Sequence, residues 1–101
     1  MKYFVIADAD TVLGFRYVGI RGCEVNSARE ARKALDRAVS NSGIGIVIVT
    51  ESVAESIRDE VNAVRFGRNR PLIVEVPGRT GPLPGKRSLI ELIREAVGIH
   101  V

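Results

Sequence analysis

Residues 44–57 read IGIVIVTESVAESI, an apolar run that passes directly into a helix start signal. The run GIVIV at residues 45–49, β-branched after its first residue, predicts a strand buried on both faces, because a half-buried strand would alternate apolar and polar residues. Thr50 ends this run, and Ser52 with Glu55 matches the S-x-x-E capping box that opens a helix. The stretch therefore predicts a strand followed at once by a helix, the repeating unit of a parallel α/β sheet.

The same alternation extends in both directions along the chain. Upstream, the sequence predicts a strand, a helix and a second, weaker strand, at residues 2–7, 11–17 and 20–25. A Ser27–Glu30 capping box then opens a second helix, which stops at residues 41–43. Downstream, the third helix ends by Phe66–Gly67, and a fourth strand follows Pro71 at residues 72–76.

This order of elements predicts an α/β fold with a four-stranded parallel sheet and helices on both faces, because parallel neighbours need right-handed helical crossovers. The expected strand order is 2-1-3-4, as in flavodoxin-like and other Rossmann-like doubly wound folds. We expect residues 1–76 to form this domain, residues 77–87 a Pro/Gly-rich hinge and residues 88–101 a C-terminal helical arm.

The hinge and the arm are predicted from composition and from apolar periodicity. Six of the nine residues at 77–85 are Pro or Gly, which neither a helix nor the interior of a sheet accommodates. Ser88 and Glu91 then form a third capping box, opening an amphipathic helix over residues 88–97. The apolar face of this helix suits either the chain's own sheet or a partner helix, and sequence physics leaves both open.

Composition limits the function classes. The chain of 101 residues has one cysteine, Cys23, and one histidine, His100, so an internal disulfide and a zinc site are not expected. Cys23 is expected to be a small buried hydrophobe. The longest apolar run is too short to span a bilayer, and the first residues lack the pattern of a signal peptide, so neither a membrane span nor a signal peptide is expected. We expect a cytoplasmic protein, peripheral to any membrane, with no direct membrane insertion and no cofactor.

Candidate catalytic groups are few. Asp8 and Asp10 follow the first strand, at the edge where doubly wound sheets bind ligands; we expect Asp10 to cap the first helix and Asp8 to favour its positive end. A phosphoacceptor receiver domain shares this topology, but it needs an aspartate nucleophile where Thr50 stands. The Gly85–Lys86 pair lacks the spacing of a P-loop. The sequence therefore predicts a non-enzyme without a bound metal, with a receiver-like signalling domain as the alternative.

Charge is distributed unevenly along a chain of net charge +3. Residues 65–87 carry six basic residues against a single acidic one, Glu75. Such a segment suits an acidic protein surface or nucleic acid. Phe66 is the single aromatic residue in this segment, so the cations are not interleaved with a series of aromatic residues for base stacking, and nucleic-acid binding is not the expected function.

Four segments together resemble the F subunit of the V-type/A-type rotary ATPases (ATP synthases). They are KYFVIADADTVLGFRYVGI at residues 2–20, GIVIVTESVAESI at 45–57, LIVEVPG at 72–78 and IREAVGI at 93–99. The resemblance covers essentially the whole chain. It implies a four-stranded Rossmann-like domain with a C-terminal helical arm and no active site of its own.

The resemblance further implies a central-stalk protein of the rotor that couples or regulates ATP turnover with ion transport. Its arm would bind the coiled coil of the D subunit and approach the catalytic A and B subunits. The implied apolar contacts are Leu89, Ile90, Leu92, Ile93 and Val97. The implied steering cations are Arg79, Lys86 and Arg87.

Overall fold

The computed structural model describes residues 2–67 and 71–78. The strands are β1 (Lys2–Ala7), β2 (Arg21–Glu24), β3 (Ile44–Thr50) and β4 (Leu72–Val76). The helices are α1 (Ala9–Arg16), α2 (Ala28–Ser40), α3 (Glu51–Ser56) and α4 (Arg58–Phe66). The predicted hinge beyond Gly78 and the predicted helix at residues 88–97 lie outside the described residues.

The strands form a single parallel sheet with the order β2-β1-β3-β4. The predicted fold class and strand order are therefore confirmed. β1 and β3 are the central strands, and their register pairs Val5 with Ile48 and Ile6 with Val49. Both strands are apolar throughout their central residues because each of their faces is covered.

Helices cover the two faces unequally. Ile6, Val47 and Val49 point to the face covered by α2, α3 and α4, where they join Leu35 and Val61 in the larger core. On the other face, β-strand residues pack against α1 in a smaller core: Val5, Ala7, Ile48 and Val76 around Val12. The alternation of adjacent strand residues between these two cores explains the unbroken apolar run that the sequence shows.

The start of α1 differs from the prediction. Asp8, not Asp10, is the N-cap, and α1 begins at Ala9 rather than Thr11. The Asp8 carboxylate accepts a hydrogen bond from the Thr11 backbone N–H at 3.2 Å and another from the Thr11 hydroxyl at 2.8 Å. Asp10 lies in the first turn. The prediction reversed the two roles because β1 ends at Ala7, which makes the next residue the cap.

The start of the third predicted helix also differs. Thr50 is the N-cap and its hydroxyl accepts from the Val53 N–H at 3.3 Å, so the helix begins before the predicted Ser52 cap. The predicted single helix is divided at Ile57, which has non-helical torsions between α3 and α4. The Ser56 hydroxyl donates to the Val53 carbonyl oxygen at 2.7 Å and so satisfies an acceptor where the helical hydrogen bonds are interrupted.

The start of α2 follows the prediction. Ser27 is the N-cap, and its hydroxyl oxygen accepts from the Glu30 N–H at 3.2 Å. The Glu30 carboxylate accepts in turn from the Asn26 N–H at 2.7 Å, one residue before the usual position in a capping box. The Ser27 hydroxyl oxygen and the Glu30 carboxylate therefore each accept a backbone N–H at this helix start.

β2 is shorter than predicted, because pairing with β1 covers only Arg21–Glu24. Cys23 is partly buried at the edge of the larger core rather than fully buried. Gly22 lies where α1 approaches the sheet: a Cβ atom there would come within 2.1 Å of Val5 Cγ1 and 3.3 Å of Val12 Cγ1. The glycine is required for this close packing.

Candidate interaction surface

A small polar cleft lies at the carboxyl edge of the sheet, between the ends of β1 and β3. Its volume is about 250 Å³, and Asp8, Ser27, Thr50 and Ser56 are among its lining residues. Strand order reverses at this point, and doubly wound folds bind their ligands here. In a fold of this class, a ligand-binding or catalytic site is therefore expected at this cleft.

The side chains of this cleft are used for helix starts and helix ends. The Asp8, Ser27 and Thr50 side chains each accept a backbone N–H as N-caps. Thr50, fully buried, stands where a receiver domain would carry its aspartate nucleophile. Among residues 2–67 and 71–78, no group of three or more His, Cys, Asp or Glu side chains is placed to hold a metal ion. The polar side chains of the cleft therefore stabilise the starts of the helices that pack on the sheet.

The strongest electrostatic contact links α4 to β4. The Glu75 carboxylate accepts from both terminal nitrogens of Arg58, at 2.7 and 2.9 Å, and Arg65 Nη1 lies 2.9 Å from it. The hydrogen bonds from Arg58 lower the pKa of Glu75 to about 2, against an ordinary value of 4.5. The same pairing raises the pKa of Arg58. This triad fastens α4 to the edge strand and leaves Glu75 charged at neutral pH.

An apolar surface is exposed at the amino edge of the sheet, on the α1 face. The register places Tyr3, Ile46 and Leu72 side by side on three neighbouring strands, and we call them the apolar row. Tyr3 is 47% exposed and Leu72 is 61% exposed, while Ile46 is partly buried between them. α1 packs mainly over β1 and β2, so none of the described helices covers the β4 end of this row.

The turn between α1 and β2 extends this surface. Tyr17 is 81% exposed and Val18 is 73% exposed. The turn is held by backbone hydrogen bonds from Gly19 to Arg16 and from Ile20 to Phe15, both 3.0 Å, with Gly19 at φ 87°. Because these hydrogen bonds already hold the backbone of the turn, binding a partner through its two apolar side chains would cost little conformational entropy. We call Tyr17 and Val18 the aromatic turn.

A cleft of about 510 Å³ lies at the amino edge of the sheet and includes one member of the apolar row. It is lined by Tyr3 and also by Gly19 and Ile20, which follow the aromatic turn in sequence. Exposed tyrosine and apolar residues around a concave site are the features that interface hot spots share. The amino-edge surface therefore has the chemistry of a protein-binding site.

Sequence reasoning placed the contacts elsewhere. All eight predicted contact residues, at positions 79, 86, 87, 89, 90, 92, 93 and 97, lie outside the described residues. The amino-edge surface was not predicted, although a signal existed: turns favour Gly, Asn, Asp and Ser, and a Tyr-Val pair in a turn is unusual. The exposure of Leu72 follows only from the absence of a described helix over that end of the sheet.

The described helices are also short. In the described part of the chain, none combines the length and apolar character needed to cross a bilayer.

Comparison with known proteins gives one consistent result. The chain matches the sequence model of the family described as ATP synthase (F/14-kDa) subunit over residues 4–93. It is 38% identical over 103 residues to the F subunit of the A-type ATP synthase of Methanococcus maripaludis, covering 100% of this chain and 99% of the relative. Identity is 37% to the protein of the same name from Methanocaldococcus jannaschii, with the same coverage, and 34% to that from Pyrococcus abyssi, with 98% of the relative covered.

These matches agree with the resemblance found in the sequence, and they run through all four described strands and all four described helices. The receiver-like alternative has no such support. The chain belongs to the ATP synthase (F/14-kDa) subunit family.

Proposed function

We propose that this chain is a non-catalytic component of an A-type rotary ATP synthase. In this role it is part of the central stalk, peripheral to the membrane on its cytoplasmic side, and couples or regulates ATP turnover with ion transport. The observation that carries the proposal is the match to F subunits of A-type ATP synthases along the full chain. A component of such a complex works through its contacts, so its functional residues are those that bind other subunits.

We assign the main contact to the coiled coil of the D subunit. Residues 88–97 supply the apolar contacts, and Arg79, Lys86 and Arg87 steer the approach. The described part of the chain supports a contact function as well, because its carboxyl-edge cleft is occupied with helix capping while its amino edge exposes Tyr17, Val18 and Leu72. We therefore add the amino-edge surface to the proposed binding site.

The proposal is tested by capture of the full chain on the immobilised D subunit. One variant carries Leu92→Asp with Ile93→Asp, and a second carries Tyr17→Ser with Val18→Ser. Each is expected to reduce captured protein at least tenfold, because buried aromatic and aliphatic anchors supply most interface energy.

The matched control is Phe66→Ser. Phe66 is 85% exposed, much like Tyr17, but belongs to α4 on the opposite face of the sheet. Capture of this variant should equal that of the unmodified chain. Undiminished capture of both test variants contradicts the assigned contacts, and failure of the unmodified chain to bind the D subunit contradicts the proposed function itself.

A further inference from the structure

The outer surface of α2 carries three cations in one line. Arg29, Lys33 and Arg37 are four residues apart, so they lie above one another on one face of the helix, and all three are exposed. We call these three residues the cationic stripe. The stripe is about 12 Å long, given the helical rise per residue.

The stripe has no ion-pair partner within the described part of the chain. No carboxylate there lies within 4.0 Å of Arg29, Lys33 or Arg37. Two nearby carboxylates are engaged elsewhere: Glu30 accepts from the Asn26 N–H, and Glu60 pairs with Arg32 at 2.8 Å. The arginines that face α4 and β4, by contrast, are paired: Arg32 with Glu60, and Arg58 and Arg65 with Glu75.

The N-terminal part of the stripe opposes the local electrostatics of the helix, whereas Arg37 lies in the last turn, where the helix dipole favours a cation. Like charges four residues apart repel, and the stripe has two such pairs. Arg29 lies in the first turn, where the helix dipole favours a negative side chain. A sequence selected only for the stability of this helix would place a carboxylate at one of these positions. Departures from local consistency of this kind are expected where a surface serves function.

A groove runs beside the stripe, between α2 and the edge strand β2. Its volume is about 280 Å³; Cys23, Val25 and Ala34 provide apolar lining, and Lys33 and Arg37 are also in contact with it. Apolar lining beside a charged rim is the general layout of a protein-binding surface. No aromatic side chain among the described residues lines the groove for base stacking. Glu24 and Glu30 also line it, so the carboxylates of a partner are expected over the stripe rather than in the groove. The chemistry therefore favours a protein over a nucleic acid.

We propose that the cationic stripe and its groove dock an acidic helix of another protein of the complex, one that carries carboxylates at intervals of three or four residues. Such a helix places successive carboxylates opposite Arg29, Lys33 and Arg37 over two turns. This surface is on the opposite side of the sheet from α1 and the apolar row, so it serves a second contact. The inference rests on the proposed function in one respect, that the chain works inside a multi-subunit assembly.

The test is site-specific photo-cross-linking in the assembled ATP synthase with the full chain. The photoreactive residue replaces Ser40, which is exposed, lies on the same helical face as the stripe and leaves all three cations intact. The expected product joins position 40 to a helical segment of a different protein of the complex, identified by mass spectrometry, with carboxylates at three- to four-residue spacing.

Charge variants then test the electrostatic basis. Arg29→Glu, Lys33→Glu and Arg37→Glu together are expected to reduce the cross-link yield about tenfold, the combined effect of three exposed ion pairs. The control reverses no charge: Arg29→Lys, Lys33→Arg and Arg37→Lys together should retain the yield. Arg29→Glu alone should lower the yield about twofold or more while raising the Tm of the free chain, because it favours the helix dipole and pairs with Lys33.

Several results would overturn the inference. They are a yield unchanged by charge reversal, a product with a segment that lacks carboxylates, a product between two copies of this chain, or a nuclease-sensitive product. A Tm loss in Arg29→Glu that parallels its loss of yield would show a purely structural role. Failure of the unmodified chain to join the complex is seen separately, since it removes every product and contradicts the proposed function instead.

Discussion

The two faces of the sheet differ in how many of the described helices cover them. One face is covered by α2, α3 and α4 over a core of branched aliphatic residues, with Glu75 held by two arginines at its margin. The other is covered, among the described helices, by the eight-residue α1 alone, which approaches the sheet closely over Gly22. The first face is closed by its own side chains. The second leaves apolar side chains at its amino edge for contact.

This difference assigns distinct tasks to the two layers. The larger core supplies most of the apolar burial and hence most of the stability of the described domain. The α1 layer contributes less burial but holds the aromatic turn in a fixed conformation. Substitutions that compare equivalent features of the two faces test this division directly.

The largest effect is expected from truncation in the larger core. Leu35 on α2 is 1% exposed. Leu35→Ala should lower the free energy of unfolding by about 3 kcal/mol, because it removes buried apolar atoms and leaves a cavity. The counterpart is Val12→Ala on α1, which removes fewer buried atoms and should cost about 1–2 kcal/mol. Urea unfolding followed by circular dichroism measures both. Equal losses would contradict the unequal division between the faces.

The second effect concerns the close approach of α1. Gly22→Ala should destabilise the chain by about 2 kcal/mol, because the added Cβ would lie 2.7 Å from the Val5 carbonyl oxygen and closer still to its Cγ1. Gly14→Ala is the matched control: nothing lies within 4 Å of a Cβ there, and alanine favours the helix by about 0.5–1 kcal/mol. The two substitutions should therefore shift the urea midpoint in opposite directions.

The third effect concerns the charged margin of the larger core. Glu75→Gln should lower the free energy of unfolding at pH 7 by about 2 kcal/mol, because Arg58 and Arg65 lose a shared carboxylate that is only 14% exposed. Since the folded pKa of Glu75, about 2, is below its ordinary 4.5, the contribution is complete above about pH 5 and is lost as the pH falls toward 2.

The pH profile of stability distinguishes this contact from general acid effects. The Glu75→Gln variant should lose less stability than the unmodified chain between pH 5 and pH 2. Glu60→Gln, at an exposed pair with Arg32, should change the profile less. A profile for Glu75→Gln that parallels the unmodified chain would contradict the stabilising role of the triad.

The smallest effect is expected at the start of α1. Asp8→Ala should cost about 1 kcal/mol, since the Thr11 N–H and hydroxyl lose their acceptor. Asp8→Asn keeps an oxygen acceptor at the N-cap and should cost much less. Thermal unfolding of the two variants resolves the difference. Similar losses in both would indicate that charge at Asp8, rather than capping, stabilises this end of the helix.

Much of the fold follows from sequence pattern. Parallel strands covered on both faces must be apolar at successive positions, so residues 45–49 and 2–7 identify the central strands without tertiary information. The strand order follows from short right-handed crossovers. Helix starts were predicted less well, because Asp8 and Asp10, or Thr50 and Ser52, are equally good caps in sequence. The end of strand pairing decides between them.

Interactions between distant residues could not be predicted in this way. Arg58 and Glu75 are 17 residues apart, and only the packing of α4 on β4 brings them to hydrogen-bond distance. Solvent exposure has the same origin, since Tyr3 and Leu72 look like core residues in sequence and become surface where no described helix covers the sheet edge. The sequence by itself determined which segments form strands and helices, because local pattern and backbone geometry set these. Only the tertiary structure decided which apolar and charged side chains are left without a partner, because burial and pairing depend on neighbours far away in the chain.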